Sequence, residues 1–256
     1  TVDVEQLRKD VERCDLLLGK LPAELKAQQL NAAQMAMRLQ CTKTEWVTEG
    51  SAATRQALAK EFVQYCSLPR VLNSPTDALF CARFLKLIHQ LGVPHFPLLT
   101  VIDRQMREFG FLVRCTTPRE ATNLGIFLNE MLSLVEHWRD ADVFAKECAT
   151  SPAFMTFARG EVIQITHAEF LKLTTNWQKF LAVDVFISCV ESGDYMQIKN
   201  ALLVLNRMVK IFPAVGIYAE RLRKAVEPIR DNETREDLKT LAGMYCTTLS
   251  ASAKGK

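Results

Sequence analysis

Three segments of the chain open on the same start signal. Ser74-Pro75-Thr76-Asp77, Thr117-Pro118-Arg119-Glu120 and Thr166-His167-Ala168-Glu169 each set a hydroxyl three residues ahead of an acid. The hydroxyl accepts a hydrogen bond from an orphan backbone N–H, the acid reaches back, and proline loses nothing at the first helical position. The boxes stand 43 and 49 residues apart, and helical apolar periodicity follows each. That spacing predicts an all-α fold, a right-handed α-solenoid of stacked helix pairs of the HEAT or armadillo kind. Helices are expected near 2–19, 22–47, 53–66, 75–91, 96–114, 118–138, 140–148, 152–158, 167–191, 194–211, 214–230 and 233–248, with breaks at Gly92-Val93-Pro94 and Phe212-Pro213. The short run "EVIQI" (161–165) is the one strand candidate. Residues 1–250 read as a single helical-repeat domain, and 251–256 ("ASAKGK") as the start of a flexible charged tail.

At 256 residues, 48% hydrophobic and 24% charged, the chain has the makings of a buried core in one or two domains. Its longest nearly apolar run, Phe180 to Val190, carries Asp184 and is well short of a bilayer span. The opening "TVDVEQ" reads as the interior of a longer chain. The eight cysteines are spaced 15 to 57 residues apart with no CxxC pair. They lie inside apolar helical patterns, where a thiol acts as a small hydrophobe, so a reducing compartment is expected.

A cysteine and two histidines crowd into "LFCARFLKLIHQLGVPHFP" (79–97). On the helix starting after Ser74, Phe80, Phe84, Leu87, Ile88 and Leu91 share one face. Cys81 and His89 fall about 80° apart around the axis at 100° per residue, and His95 lies beyond the Gly-Val-Pro break. No metal site is expected. His137 and His167 have capping or helix-end roles, and no GxxxxGK[ST] or GxGxxG loop exists to cradle a nucleotide. Neither a cofactor nor an enzymatic activity is expected. Trp46, Trp138 and Trp177 suit gaps between helical layers better than base stacking.

The net charge of +3 is too small to imply nucleic acid by itself, but its distribution is uneven. Residues 1–192 hold 21 basic and 22 acidic groups, whereas 199–230 holds seven basic against two acidic. On the segment 194–211, Lys199, Asn206, Arg207 and Lys210 fall on one side, while Ile198, Leu202, Leu205, Met208 and Val209 fall on the other. A solvated helix face and an electrostatic contact for RNA or an acidic protein both account for the ridge. Its candidate contacts are Lys199, Arg207, Lys210, Arg223, Lys224 and Arg230, with Arg70, Arg104 and Arg107 as further candidates.

Three stretches together resemble one family. "YCSLPRVLNSPTDALFCARFLKLIHQLGVPHFPLLTVIDR" (65–104), "KECATSPAFMTF" (146–157) and "CVESGDYMQIKNALLVL" (189–205) are similar, in order and spacing, to the THO complex subunit 2 family, the large scaffolds of the THO/TREX assembly. The similar order runs from about Leu39 to Ile211. The resemblance implies the C-terminal part of a helical body in a nuclear, non-enzymatic scaffold that couples transcription to mRNP packaging and mRNA export. It implies partnership with other THO subunits, especially THO complex subunit 1, and help in recruiting a DECD-box RNA-dependent ATPase (an RNA helicase of export). Two other readings stay open on the residues alone: a helical RNA-binding module using the ridge, and a HEAT module like the middle domain of eIF4G.

Overall fold

The structure, a computed structural model, describes residues 4–158 and 161–254, and the side chains of all of these but 156–158, 161–162 and 253–254. The helices are α1 (Val4–Thr42), α2 (Ala52–Glu61), α3 (Leu68–Asn73), α4 (Pro75–Leu91), α5 (Leu98–Cys115), α6 (Pro118–His137), α7 (Ala141–Val143), α8 (His167–Lys179), α9 (Ser188–Val190), α10 (Tyr195–Met208), α11 (Gly216–Asn232) and α12 (Glu236–Lys254). Wider π-helical turns, Phe62–Ser67 and Phe180–Ile187, join α2 to α3 and α8 to α9 without a break, and a third, Phe144–Cys148, ends the short rod begun by α7. Among the described residues the chain is all-α apart from one hairpin, and no helix is long and apolar enough to cross a membrane.

The three start signals do what their residues dictate. Ser74 Oγ accepts from the Asp77 N–H at 3.1 Å. Thr117 and Thr166 form reciprocal boxes in which Glu120 and Glu169 accept the cap backbone N–H at 2.8 and 2.9 Å. Those contacts hold both glutamates below the usual carboxylate range.

The chain divides into two compact units, 1–47 and 48–256. The first is α1 with a short 3-10 turn (Lys43–Glu45). The break expected between 19 and 22 does not occur, because helix continues through Pro22, which forfeits a single backbone donor.

In the second unit successive helices alternate between two rows. One row sets α4, α6, α10 and α12 side by side. The other sets α2, α5, the Phe180–Ile187 stretch and α11 side by side. The row-one crossing of α6 with α10 is the most extensive. It is permitted by Gly125, where an added Cβ would stand 3.0 Å from Arg207 Cβ and 3.3 Å from Val204 Cα. Between the rows, fully buried Asn200 of α10 donates to the Val113 and Thr116 carbonyls at the end of α5, at 3.2 and 2.6 Å. Asn200→Ala strands those carbonyls and is expected to cost about 1–3 kcal/mol, seen as a lowered denaturant midpoint.

One expected element is overturned. Residues 152–158 do not form a helix: Met155–Ala158 is strand β1, paired antiparallel with β2 (Glu161–Gln164) in the register Met155↔Gln164 through Ala158↔Glu161. The candidate strand at 161–165 is present, and it draws the preceding segment into its ladder because a lone strand leaves its backbone groups unpaired. Gln164 then donates to the Cys148 and Ser151 carbonyls, tying the ribbon to the Phe144–Cys148 turn. At the other end α12 runs through Lys254, and the last two residues of the expected 251–256 tail lie outside the described ones.

Candidate interaction surfaces

Cys81 and His89 of 79–97 are employed in packing, and His95 in a hydrogen bond with Arg55. The buried face of α4 is Ala78, Cys81, Ala82, Leu85, Ile88, His89 and Leu91, rotated from the expected one, so Phe80 is 47% exposed. Cys81 Sγ faces the Ser67 carbonyl at 3.9 Å, whereas His89 packs edge-on to Trp138 at 4.7 Å and against Phe154 at 5.1 Å. His95, in left-handed backbone at φ 61°, accepts from Arg55 at 3.1 Å. His167 donates to the Arg139 carbonyl at 2.9 Å, and His137 meets Glu147 at 3.2 Å. Burial pushes the Cys81 thiol up to about 11 and Cys148 up to about 12, so both stay protonated at neutral pH. All eight cysteines are free thiols.

Burial also lowers the His89 pKa below 6.5, with the Glu147 carboxylate opposing the shift. The unfolded chain therefore takes up a proton before the folded one does, and stability is lost as pH falls below about 6.5. Thermal midpoints measured between about pH 7 and pH 5 should fall with acidity, and His89→Gln should flatten that slope. An equal slope in both proteins would place the titration elsewhere.

The basic ridge is largely cancelled by carboxylates. Lys199 donates to Asp237 at 2.9 Å and to the Tyr195 hydroxyl at 2.7 Å, and Tyr195 in turn donates to Asp237. The two donors hold the Asp237 carboxyl down at about 2. Arg223 lies between Glu220 (2.7 Å) and Glu227, Lys224 reaches Glu220 at 3.6 Å, and Arg230 pairs with Asp231 at 2.7 Å. Asn206 donates to the Leu241 carbonyl at 3.0 Å, so it joins α12 and leaves the solvated side. Arg207 and Lys210 of α10 and its following turn, and Arg221 of α11, are exposed and make no ion pair among the described residues. The ridge thus keeps these three cations, two of them among the expected contacts.

The further candidates are paired as well. Arg104 meets Glu108 at 3.7 Å, and Arg107 meets Asp103 at 2.9 Å while Asp103 also accepts from Trp177 Nε1 at 2.9 Å. Arg70 donates to Asp77 at 2.9 Å and lies 4.2 Å over the Phe80 ring. Ser74, Asn73 and Arg70 together hold Asp77 at about 2.

Arg70 belongs to a feature the sequence reading missed. Phe62, Cys66, Arg70, Phe80 and Phe84 line an open recess of about 220 Å³ between α4 and the Phe62–Ser67 turn. Phe80 and Phe84 stack at 5.8 Å, and neighbouring Tyr65 is 70% exposed. Aromatic side chains with an arginine at an open surface have the composition of interface anchors. The signal available in the sequence was crowding on α4. With Ala78, Cys81 and Leu85 on the buried face, Phe80 and Phe84 have no place there and turn outward.

These surfaces define a class: a helical body whose second unit packs in two rows and presents aromatic and charged outer faces, with four of its thiols and His89 buried in the packing. The family described as "Transcription factor/nuclear export subunit protein 2" matches residues 2–249. The chain is 32% identical to THO complex subunit 2 of Arabidopsis thaliana over 251 residues, 97% of this chain and 14% of that protein. It is 32% identical to the Homo sapiens protein of the same name over 250 residues, 94% of this chain and 16% of that one, and 26% identical to the Saccharomyces cerevisiae one over 195 residues, 76% and 11%. The chain belongs to the THO complex subunit 2 family, and it spans about a seventh of the length of these curated relatives. The match covers both α1 and the helices after Phe212-Pro213, beyond the 39–211 over which the resemblance was read.

Proposed function

We propose that this chain is a non-enzymatic scaffold segment of the nuclear THO/TREX complex, contributing rigid surface on which other THO subunits, foremost THO complex subunit 1, assemble. The observation that carries the reading is 32% identity to THO complex subunit 2 across nearly the whole chain. The alternating helical rows support a solenoid of stacked pairs, right-handed and HEAT- or armadillo-like. In this reading the aromatic recess around Arg70 and Phe80 anchors a protein partner. The body orients a DECD-box RNA-dependent ATPase, favouring one of its conformations by binding it better. Coupling of transcription to mRNA export would follow from that positioning.

The test is co-purification of the chain with recombinant THO complex subunit 1 and with the export ATPase, alongside the RNA-stimulated ATP hydrolysis rate. Phe80→Asp is expected to reduce recovery of a partner while lowering the thermal midpoint only modestly, because Phe80 is nearly half exposed and gives up only its contacts with Phe84 and Arg70. Retention of cytoplasmic initiation factors instead would favour the eIF4G-like reading.

Direct RNA binding is the second reading, and Arg207, Lys210 and Arg221 are its contacts. Three unpaired cations limit the salt dependence: log affinity for single-stranded RNA should fall with log salt at a slope of about −2, not the roughly −5 expected if the whole ridge were engaged. A filter-binding titration reads this slope, and Lys210→Glu should reduce it while Lys199→Ala leaves it in place.

A further inference from the structure

Helix α1 is 39 residues long and buries none of them. From Val4 to Leu39 its apolar residues recur at alternating steps of three and four, with Gln28 the one polar interruption. The side chains on this line include Leu18, Leu21 and Leu25, which are 53% to 67% exposed. A spacing of about 3.5 residues is informative, because a straight helix turns once per 3.6 or so. Such a line drifts by about 20° per heptad, so over roughly five heptads it stays in contact only with another helix that supercoils around it. The occupant of this seam is therefore an α-helix.

The charges beside the seam choose which helix and which direction. A parallel, in-register pair of α1 helices would set Asp10 of each copy against Asp15 of the other, twice over. An antiparallel pair centred between Leu21 and Leu25 instead sets Asp10 against Arg38 of the second copy, again twice, with Glu24 meeting its own equivalent once at the two-fold axis. The same alignment layers Leu7 on Leu39, Cys14 on Ala32 and Leu21 on Leu25 of the second copy, and confines Gln28 to the layer of Leu18. Small meets small and large meets large at these layers. Leu16, Leu30 and Met37 stand on the opposite side and take no part.

We propose that α1 is a self-association element that pairs with α1 of a second copy of this chain as an antiparallel two-stranded coiled coil. The inference is independent of which complex the chain serves.

The test uses the full 256-residue chain. Light scattering coupled to gel filtration is expected to give twice the monomer mass. Leu25→Asp, in the seam, should return the monomer, whereas Leu30→Asp, off the seam, should leave the dimer intact. Asp10→Arg or Arg38→Glu alone should each weaken association by about tenfold, and the double exchange should restore it. Ala32→Cys treated with oxidised glutathione should yield an interchain disulfide between Cys14 of one copy and the thiol introduced at position 32 of the other, mapped by peptide mass. A monomer at all concentrations overturns the proposal and leaves the seam to some other helix. Strengthening by Asp10→Arg, or a Cys14–Cys14 cross-link in the unaltered chain, overturns it in favour of a parallel pair. Equal loss of the dimer in both leucine variants also overturns it.

Discussion

Trp138→Ala should lower the thermal midpoint by about 10 °C, among the largest losses expected from a single residue in this chain. Trp138 is fully buried at the end of α6. Its ring meets His89 of α4 at 4.7 Å and Phe154 at 4.9 Å. Phe154 in turn contacts Phe144 at 5.8 Å and Phe170 of α8 at 5.6 Å. One cluster thus fastens α4, α6, the Phe144–Cys148 turn, the approach to β1 and the start of α8. Truncating the indole leaves a cavity that this many separate elements cannot close together, at a cost of about 3–5 kcal/mol. For a chain of this size each kcal/mol shifts the midpoint by about 2–4 °C. Trp138 Nε1 finds no acceptor among the described residues, so Trp138→Phe loses volume but no hydrogen bond and should cost less than half as much. Scanning calorimetry of the two variants distinguishes the contributions. An alanine variant that melts with the parent would show that the aromatic cluster is not what joins these elements.

Features encoded by residues close in sequence were legible from the residues alone. The three start signals need only four consecutive residues each: Ser74, Thr117 and Thr166 all cap at their expected places, and the acid reaches back to the cap backbone N–H at Thr117 and Thr166, whereas Asp77 accepts from the Ser74 hydroxyl instead. The rod from His167 to Val190 was readable for the same reason, even though its middle widens to π geometry. Features that depend on a distant partner were not. Met155–Ala158 has an apolar pattern that a helix and a strand both accept, and the choice is made by the pairing opportunity at Glu161–Gln164. The pairing of the basic ridge was not legible because Glu220 and Glu227 each sit within reach of Arg223, with Lys224 also on Glu220, while Asp231 and Asp237 stand just beyond the ridge and Asp237 arrives on another helix. Which cations stay free is thus a property of packing, not of composition. The recess at Phe80 was hidden because the buried face of α4 is turned from the expected one by about one residue's step, roughly 100°: the same apolar residues serve either core or surface, depending on which side Ala78 and Cys81 take.

The other large effect expected is at Gly125, where a side chain would separate the two most closely packed helices. Gly125→Val should lower the thermal midpoint by roughly 5–10 °C, from about 2–3 kcal/mol of overpacking. A Cβ here stands 3.0 and 3.1 Å from Cβ and Cγ of Arg207 and 3.3 Å from Cα of Val204. Neither Arg207 Cβ nor the Val204 backbone is the loose end of a side chain, so relief requires α6 and α10 to part. Gly125→Ala meets the same atoms with less bulk, and the gain in helix propensity of about 1 kcal/mol over glycine offsets part of the clash. Gly110 provides the control: an added Cβ there meets only the ends of Phe180 and Val185 side chains, at 3.3 Å, which can shift by a few tenths of an ångström. Gly110→Ala should therefore be close to neutral. Arg207→Gly placed in the Gly125→Ala background removes two of the three close contacts, and the double-mutant cycle should show positive coupling between the sites. Because Arg207 is also one of the cations left without a carboxylate, the crossing at Gly125 sets where that charge emerges. A loss of salt-sensitive RNA binding in Gly125→Ala, at temperatures where it stays folded, would tie the surface directly to the packing beneath it.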